Sequence, residues 1–309
     1  MLKTVNKVAY KAFGLKVLSD IPLPELPLHT GNSEELAEIF IEKDDLSELW
    51  FELSSSQQRF VIKRNLVLFE IEDIAIFLIQ NGKKIVISPL SEYEEDIIRL
   101  YVLGTCMGAL LMQRKVLPLH GSAIAIDGKA YVFIGDSGAG KSTLATAFLN
   151  RGYQLLTDDV IAISLSEHNI PYVTPAYPQQ KLWRESLIEF GMNMDEYRSI
   201  YGRETKFCVP VHTQYFVEAL PLAGVFELVK TENEKVDIHP IEGLERFRTL
   251  SYHTYRNFLI RDLGLMDWHF TISASMLNLI DVYQICRPIS TFSAPQLTDL
   301  VLEIINREE

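Results

Sequence analysis

The stretch GDSGAGKST at 135–143 constrains this chain more than any other. An apolar run, AYVFI, precedes it, and LATAFLNRG, a run that reads as helix, follows. Gly135 to Ser142 fit the spacing GxxxxGK[ST], and a strand before with a helix after is the context that such a loop requires. Each residue type has a physical reason. Gly135, Gly138 and Gly140 permit backbone angles that turn successive N–H groups toward one point. Those groups, with the positive end of the following helix, bind phosphate oxygens. Lys141 adds a charge for the β and γ phosphates, and Ser142 a hydroxyl for Mg²⁺. The expected nucleotide contacts are therefore Gly135, Asp136, Ser137, Gly138, Ala139, Gly140, Lys141, Ser142 and Thr143.

One predicted helix and one predicted strand further on, Asp158 and Asp159 stand side by side after YQLL. An aspartate at a strand end commonly holds the Mg²⁺ of a phosphate-loop enzyme. Two adjacent carboxylates allow one to bind metal while the other takes the proton of an attacking hydroxyl. His120, in VLPLHG, is a third candidate. If its strand and the Asp158 strand flank the loop strand, His120 can hydrogen-bond a carboxylate and tune its pKa.

The rest of the chain supplies a frame for this centre. Residues 1–90 read as a small, mainly antiparallel β domain. Its strongest signal is Asn81-Gly82 between IFLIQ and KKIVIS, a hairpin turn whose two residues tolerate positive φ. Residues 91–115 read as a connecting helix, with Ser91 and Glu94 as a capping box and apolar residues at helical spacing. Asp127-Gly128 predicts a second hairpin just before the loop. Residues 170–220 read as rich in loops because of Pro171, Pro175, Pro178 and Pro210. LAGVFELVK and VYQICRP read as strands, and PQLTDLVLEIINREE as a C-terminal amphipathic helix. The expected domains are thus 1–90 and 91–309.

The formal net charge of -12 disfavours a nucleic-acid or phospholipid partner in the absence of a basic patch. The longest apolar run, 100–112, is shorter than the roughly 20 residues that span a bilayer. Cys106, Cys208 and Cys286 have no CxxC spacing, which fits reduced thiols in a cytoplasmic protein.

Taken together, HG at 120–121, GDSGAGKS at 135–142 and NRGYQLLTDD at 150–159 resemble the C-terminal kinase domain of bacterial HPr kinase/phosphorylase. The likeness covers 118–160. Thr143 stands where that family usually has Glu, and the family's later glycine-rich signature is not recognisable. Further stretches are similar to the HPr-kinase-like enzymes of lasso-peptide biosynthesis: YKAFGLKVLSDIPLPELP, LPLHGSAI, TDDV, YPQQKLW, KFCVPV and HTYR. The resemblance implies an α/β fold, namely an HPr kinase-like P-loop domain with a mixed sheet. It implies ATP and Mg²⁺ as cofactors and, as partner, a precursor peptide phosphorylated on its C-terminal serine. It also allows a homo-oligomer. Carried onto this sequence, Asp158 matches the base, Asp159 the adjacent acid assigned to Mg²⁺ with Ser142, and His120 the support of the base. Lys141 matches the phosphate contact.

Phosphoryl transfer calls for a further cation near the equatorial oxygens. Lys206, Arg256 and Arg287 are candidates, Lys206 and Arg256 the better placed because they lie in polar stretches. Trp183 and Tyr177 could meet a base or a peptide, although core packing is the commoner use of such rings. Two other functions stay open: a kinase of small-molecule hydroxyls, and a nucleotide-binding regulatory protein without turnover.

Overall fold

The computed structural model describes residues 7–30, 37–55, 58–90, 95–200 and 202–308. Ser91 and Glu94 of the expected capping box lie outside the described residues. The chain forms two compact units, 1–118 with 256–269, and 119–255 with 270–309.

The first unit is built on a sheet of β1 (Val8–Ala12), β2 (Leu15–Ser19), β3 (Ile39–Lys43), β4 (Phe60–Lys63), β5 (Leu66–Ile71), β6 (Ala75–Gln80) and β7 (Lys84–Pro89). Its strand order is β1-β2-β3-β7-β6-β5-β4. The β1–β2 pairing and the β4 to β7 meander are antiparallel, while β3 runs parallel to both β2 and β7. The expected hairpin is present: Asn81 and Gly82 have φ of 56° and 63° between β6 and β7. A short helix, α1 (Ser47–Leu53), covers a small cluster of Leu46, Val61, Leu68, Ile76, Leu78 and Val86.

The division falls at 118/119 rather than at 90/91, and the reason is visible in the helix between. It runs as α2 (Glu95–Tyr101), a π-helical turn (Val102–Cys106) and α3 (Met107–Gln113). Gln113 donates to the Ile79 carbonyl and accepts from Gly82 N–H, and Arg114 donates to the Gly82 carbonyl. These bonds fasten the helix end to the β6–β7 turn. The segment 256–269 joins the same unit: Phe258 packs edge-on against Phe60 of β4, which itself stacks on Phe69.

The second unit carries a seven-stranded sheet. Its strands are β8 (Leu117–Ile126), β9 (Lys129–Gly135), β10 (Gln154–Leu165), β11 (Pro171–Thr174), β15 (Leu220–Thr231), β16 (Asp237–Pro240) and β17 (Asp281–Pro288), in the order β11-β10-β8-β9-β15-β17-β16. Here β9, β15 and β17 are parallel, and β8–β9 is an antiparallel hairpin turned by Asp127 and Gly128 at φ 47° and 75°. The sheet is therefore mixed and the class α/β, as expected. β12 (Gln179–Trp183), β13 (Arg198–Ile200) and β14 (Arg203–Pro210) form a separate antiparallel sheet in the segment expected to be loops. The prolines that prompted that expectation sit at strand ends: Pro171 begins β11, Pro210 ends β14 and Pro178 precedes β12. Those are positions where the missing N–H costs little.

The phosphate-loop helix, α4 (Lys141–Leu149), lies against this sheet. Phe148 stacks on Phe133 of β9, and Phe133 meets Phe226 of β15. The C-terminal helix α9 (Ala294–Glu308) contributes Leu297, Val301 and Ile305 to the same core. The remaining helices are α5 (Arg184–Glu189), α6 (Leu244–Tyr252), α7 (Leu259–Asp262) and α8 (Met266–Leu277). No helix among the described residues is long and apolar enough to cross a membrane.

Candidate active site

The strand order revises one expectation. The His120 strand, β8, does neighbour the loop strand β9, but the Asp158 strand, β10, lies beyond β8. β8 therefore stands between the loop strand and the carboxylate strand, and two of its side chains reach the acidic pair. Period-two alternation puts His120 and Ser122 on one face of β8. Ser122 Oγ donates to Asp158 Oδ1 at 2.5 Å, and His120 Nδ1 lies 3.0 Å from the Asp159 backbone carbonyl. Between them, Gly121 leaves no room for a side chain: a Cβ there would overlap the Phe133 carbonyl oxygen of β9. Backbone cannot yield as a flexible side chain can, so Gly121→Ala should cost about 2–3 kcal/mol. Urea unfolding would measure that loss; wild-type stability would contradict this account of the HG pair.

The loop has the backbone its sequence predicts. Gly135, Gly138 and Gly140 have φ of 145°, 79° and 105°, and Gly140 is the N-cap just before α4. Lys141 Nζ donates to the Gly135 and Asp136 carbonyls at 2.7 and 2.9 Å. Burial pulls this ammonium down to about 8, with Asp158 opposing and Lys206 adding to the fall. Arg287 of β17 braces the loop from behind, donating to the Gly138 and Ala139 carbonyls.

Asp158 and Asp159 do not end a strand. They lie inside the continuous strand β10, where Asp159 has φ 80°. A non-glycine residue in that region carries strain of roughly 1–3 kcal/mol, the kind that surrounding structure holds in place at functional sites. Both carboxylates line the same cavity as the loop. Asp158 is buried and takes three donors: Ser122 Oγ, Ser142 Oγ at 2.9 Å, and the Lys181 backbone N–H at 2.8 Å. It is Asp158, then, that meets the loop serine. Asp159 Oδ2 takes Lys181 Nζ at 2.6 Å, and its Oδ1 lies 3.5 Å from His120 Nδ1. Burial pushes the Asp159 carboxyl up, but Lys181, His120 and Lys206 reverse this and leave it well below the usual carboxylate range. Burial likewise opposes the Lys181 charge, and Asp159 more than restores it. His120 is held toward its neutral form, by burial first.

One cavity gathers most of these groups. His120, Lys141, Ser142, Asp158, Asp159, Lys181 and Lys206 all line it. Trp183 lines it too, with Lys206 Nζ 5.4 Å from the ring centroid, while Tyr177 is buried. Arg256 belongs to the first unit, where its guanidinium donates to Thr105 Oγ1 at 3.0 Å, and it is not among the cavity residues. The cation that the sequence reading missed is Lys181. In QQKLW it has no telling spacing. It reaches Asp159 because β12 packs beside β10.

The donor set suits a hard divalent cation carried in with phosphates, because Ser142 and Asp158 offer oxygen atoms alone. Arranged so, the cavity sets loop groups and lysine charges that attract phosphate oxygens beside two carboxylates.

No family model matches the chain. It is 27% identical over 166 residues to an HPr kinase/phosphorylase of Nitrosomonas europaea, covering 50% of each chain. It is 28% identical over 107 residues to the HPr kinase/phosphorylase of Mycoplasmopsis pulmonis, covering 32% of this chain and 31% of that one. The chain therefore spans half or less of the length of these curated relatives. Among solved structures, the HPr(Ser) kinase/phosphatase of Coxiella burnetii matches 62% of this chain and 97% of its own, at 19% identity and a TM-score of 0.33. Over the part that matches, the chain is similar to HPr kinase/phosphorylases.

Proposed function

We propose that the protein is an ATP-dependent kinase that transfers a phosphoryl group to a serine hydroxyl of a peptide or protein. The carrying observation is the pairing of Ser142 with Asp158 beside a second carboxylate, Asp159, held by Lys181. A protein that only binds nucleotide needs the loop and one metal-side oxygen. It does not need a second, separately held carboxylate in the same cavity. Similarity to HPr kinase/phosphorylases supports the same reading.

The geometry favours the reverse of the roles that the resemblance implies for the acidic pair. Ser142 donates to Asp158, and Ser122 and the Lys181 N–H hold the same carboxylate in place, so Ser142 and Asp158 would hold Mg²⁺. The chemistry supplied by Mg²⁺ held there would be neutralisation of phosphate charge. Asp159 keeps Oδ1 for the proton of the acceptor hydroxyl, because Lys181 occupies Oδ2. His120, through its bond to the Asp159 carbonyl, would fix the strained backbone that aims this carboxylate. Lys141 would leave the loop carbonyls for the phosphates, and Lys206 would face the transferred group. The acceptor that fits the resemblance best is the C-terminal serine of a lasso-peptide precursor.

Lys141 gives a pH signature. Its ammonium titrates at about 8 in the free protein, and anionic phosphate oxygens favour the charged form. Binding then takes up a proton above pH 8. Affinity for Mg-ATP should fall by up to about tenfold per pH unit as pH rises through 8 toward 10. Calorimetry in buffers of different ionisation enthalpy would show the uptake; pH-independent affinity over that range would remove Lys141 from the site.

The reading is tested by acceptor-dependent ADP release over a panel: a serine-ended precursor peptide, an HPr-type protein, free serine and a sugar. Stimulation by peptide or protein supports it. Stimulation by serine or sugar alone assigns the site to a small-molecule kinase. ATP binding with no stimulated turnover assigns it to a regulatory module.

A further inference from the structure

A second cavity, of about 320 Å³, meets the first at Gly140 and Thr143. We infer that it takes the nucleoside end of the triphosphate, with the base against Ile289 and Phe292 and the ribose hydroxyls toward Glu185 and Glu189. This rests on the phosphotransferase reading and gives the bound nucleotide a direction.

The shared residues set that direction. Phosphates must lie over the N-terminus of α4, which is where Gly140 and Thr143 stand. On one side of these residues lies the cavity of Asp158, Asp159 and Lys181, where the transferred group belongs. On the other lies the second cavity, walled by α5 and by the turn from β17 into α9. A nucleotide with its γ-phosphate at the carboxylates has its nucleoside in that second cavity. The volume falls within the range of small-ligand sites, which are mostly apolar with a few placed polar groups.

The lining matches the two halves of a nucleoside. Ile289 and Phe292 are 59% and 38% exposed, and Phe292 meets Phe190 edge-on, so the cavity offers apolar surface that a stacked base would cover. Buried Leu144 and Leu297 continue the apolar wall. Glu185 and Glu189 bring carboxylates, which accept hydrogen bonds from sugar hydroxyls and repel a phosphate in their place. Thr143 Oγ1 is bonded to Ser186 Oγ at 2.8 Å, which ties the start of α4 to α5 and holds the two walls in register.

The test is equilibrium binding of ATP, dATP and inorganic tripolyphosphate, each with Mg²⁺, to the wild type and to Phe292→Ala, Glu185→Ala and Glu189→Ala. These side chains are exposed, so the variants should fold. Phe292→Ala should weaken ATP about tenfold and leave tripolyphosphate unchanged. Glu185→Ala or Glu189→Ala should narrow the preference for ATP over dATP. Variants that bind all three ligands as the wild type does would overturn the inference while leaving the phosphotransferase reading intact. So would an equal loss for ATP and tripolyphosphate, or a wild type that binds both equally. A wild type that binds neither would overturn the phosphotransferase reading and this inference with it.

Discussion

Asp159→Asn should lower phosphoryl transfer by about a thousandfold while leaving Mg-ATP affinity within a fewfold of wild type. General-base catalysis contributes about 10²–10⁴, and an amide of the same shape cannot take the proton. Asp158→Asn should fail differently. An amide there keeps one acceptor oxygen but sets an NH₂ against the Ser122, Ser142 or Lys181 donors. Mg-dependent ATP affinity should fall with the rate. Binding and single-turnover transfer, measured on both variants, separate the roles. If Asp158→Asn keeps its affinity and loses transfer while Asp159→Asn loses affinity, the roles are exchanged and Asp158 is the base.

The second large effect is on stability. Lys181→Met should cost about 2–3 kcal/mol, because it leaves the half-buried Asp159 carboxylate with only His120 and Lys206 to offset its desolvation. The side chains of Lys181 and Asp159 are 9% and 17% exposed, so water can replace only part of the pairing. The pH dependence carries the sign. In the wild type the Asp159 carboxyl lies below its unfolded value, so its contribution is present above the unfolded pKa and is lost as pH falls through the folded one. In Lys181→Met only His120 and Lys206 are left to oppose burial, so the folded pKa rises from its wild-type position. The deficit is then present at neutral pH and shrinks as pH falls toward the new pKa. Adding Asp159→Leu should recover much of the stability and none of the activity. A Lys181→Met protein as stable as wild type at neutral pH would show that the pair is not buried as described.

What the sequence made legible follows from how local each feature is. The phosphate loop needs its residues in fixed order within nine positions, so the positive-φ turn at Gly135, Gly138 and Gly140 and the helix after it were legible before any fold was known. The two hairpins at Asn81-Gly82 and Asp127-Gly128 are equally local, because positive φ is written in those residue types. Lys181 was not legible, since a lone lysine gains meaning only when β12 comes to lie beside β10. Ser122 could have been found: it stands two residues after His120, on the same face of a strand. The three-stranded sheet of β12, β13 and β14 was hidden by prolines at strand ends. The boundary between units was hidden because apolar spacing along 95–113 gives the helix's buried face but not which sheet it packs against. The order of roles proposed within Asp158-Asp159 rests on their different hydrogen-bond partners and on φ 80° at Asp159, which an Asp-Asp pair does not announce.

The central claim is transfer of phosphate to a serine hydroxyl. Its most direct test is the intact mass of a serine-ended precursor peptide after incubation with the protein, ATP and Mg²⁺, beside the Asp159→Asn variant. The account predicts one added phosphate with the wild type, none with the variant, and none when the terminal serine is replaced by alanine. An unchanged peptide, with Mg-ATP binding confirmed and ADP accumulating regardless of acceptor, would contradict it and make the site one that hands phosphate to water.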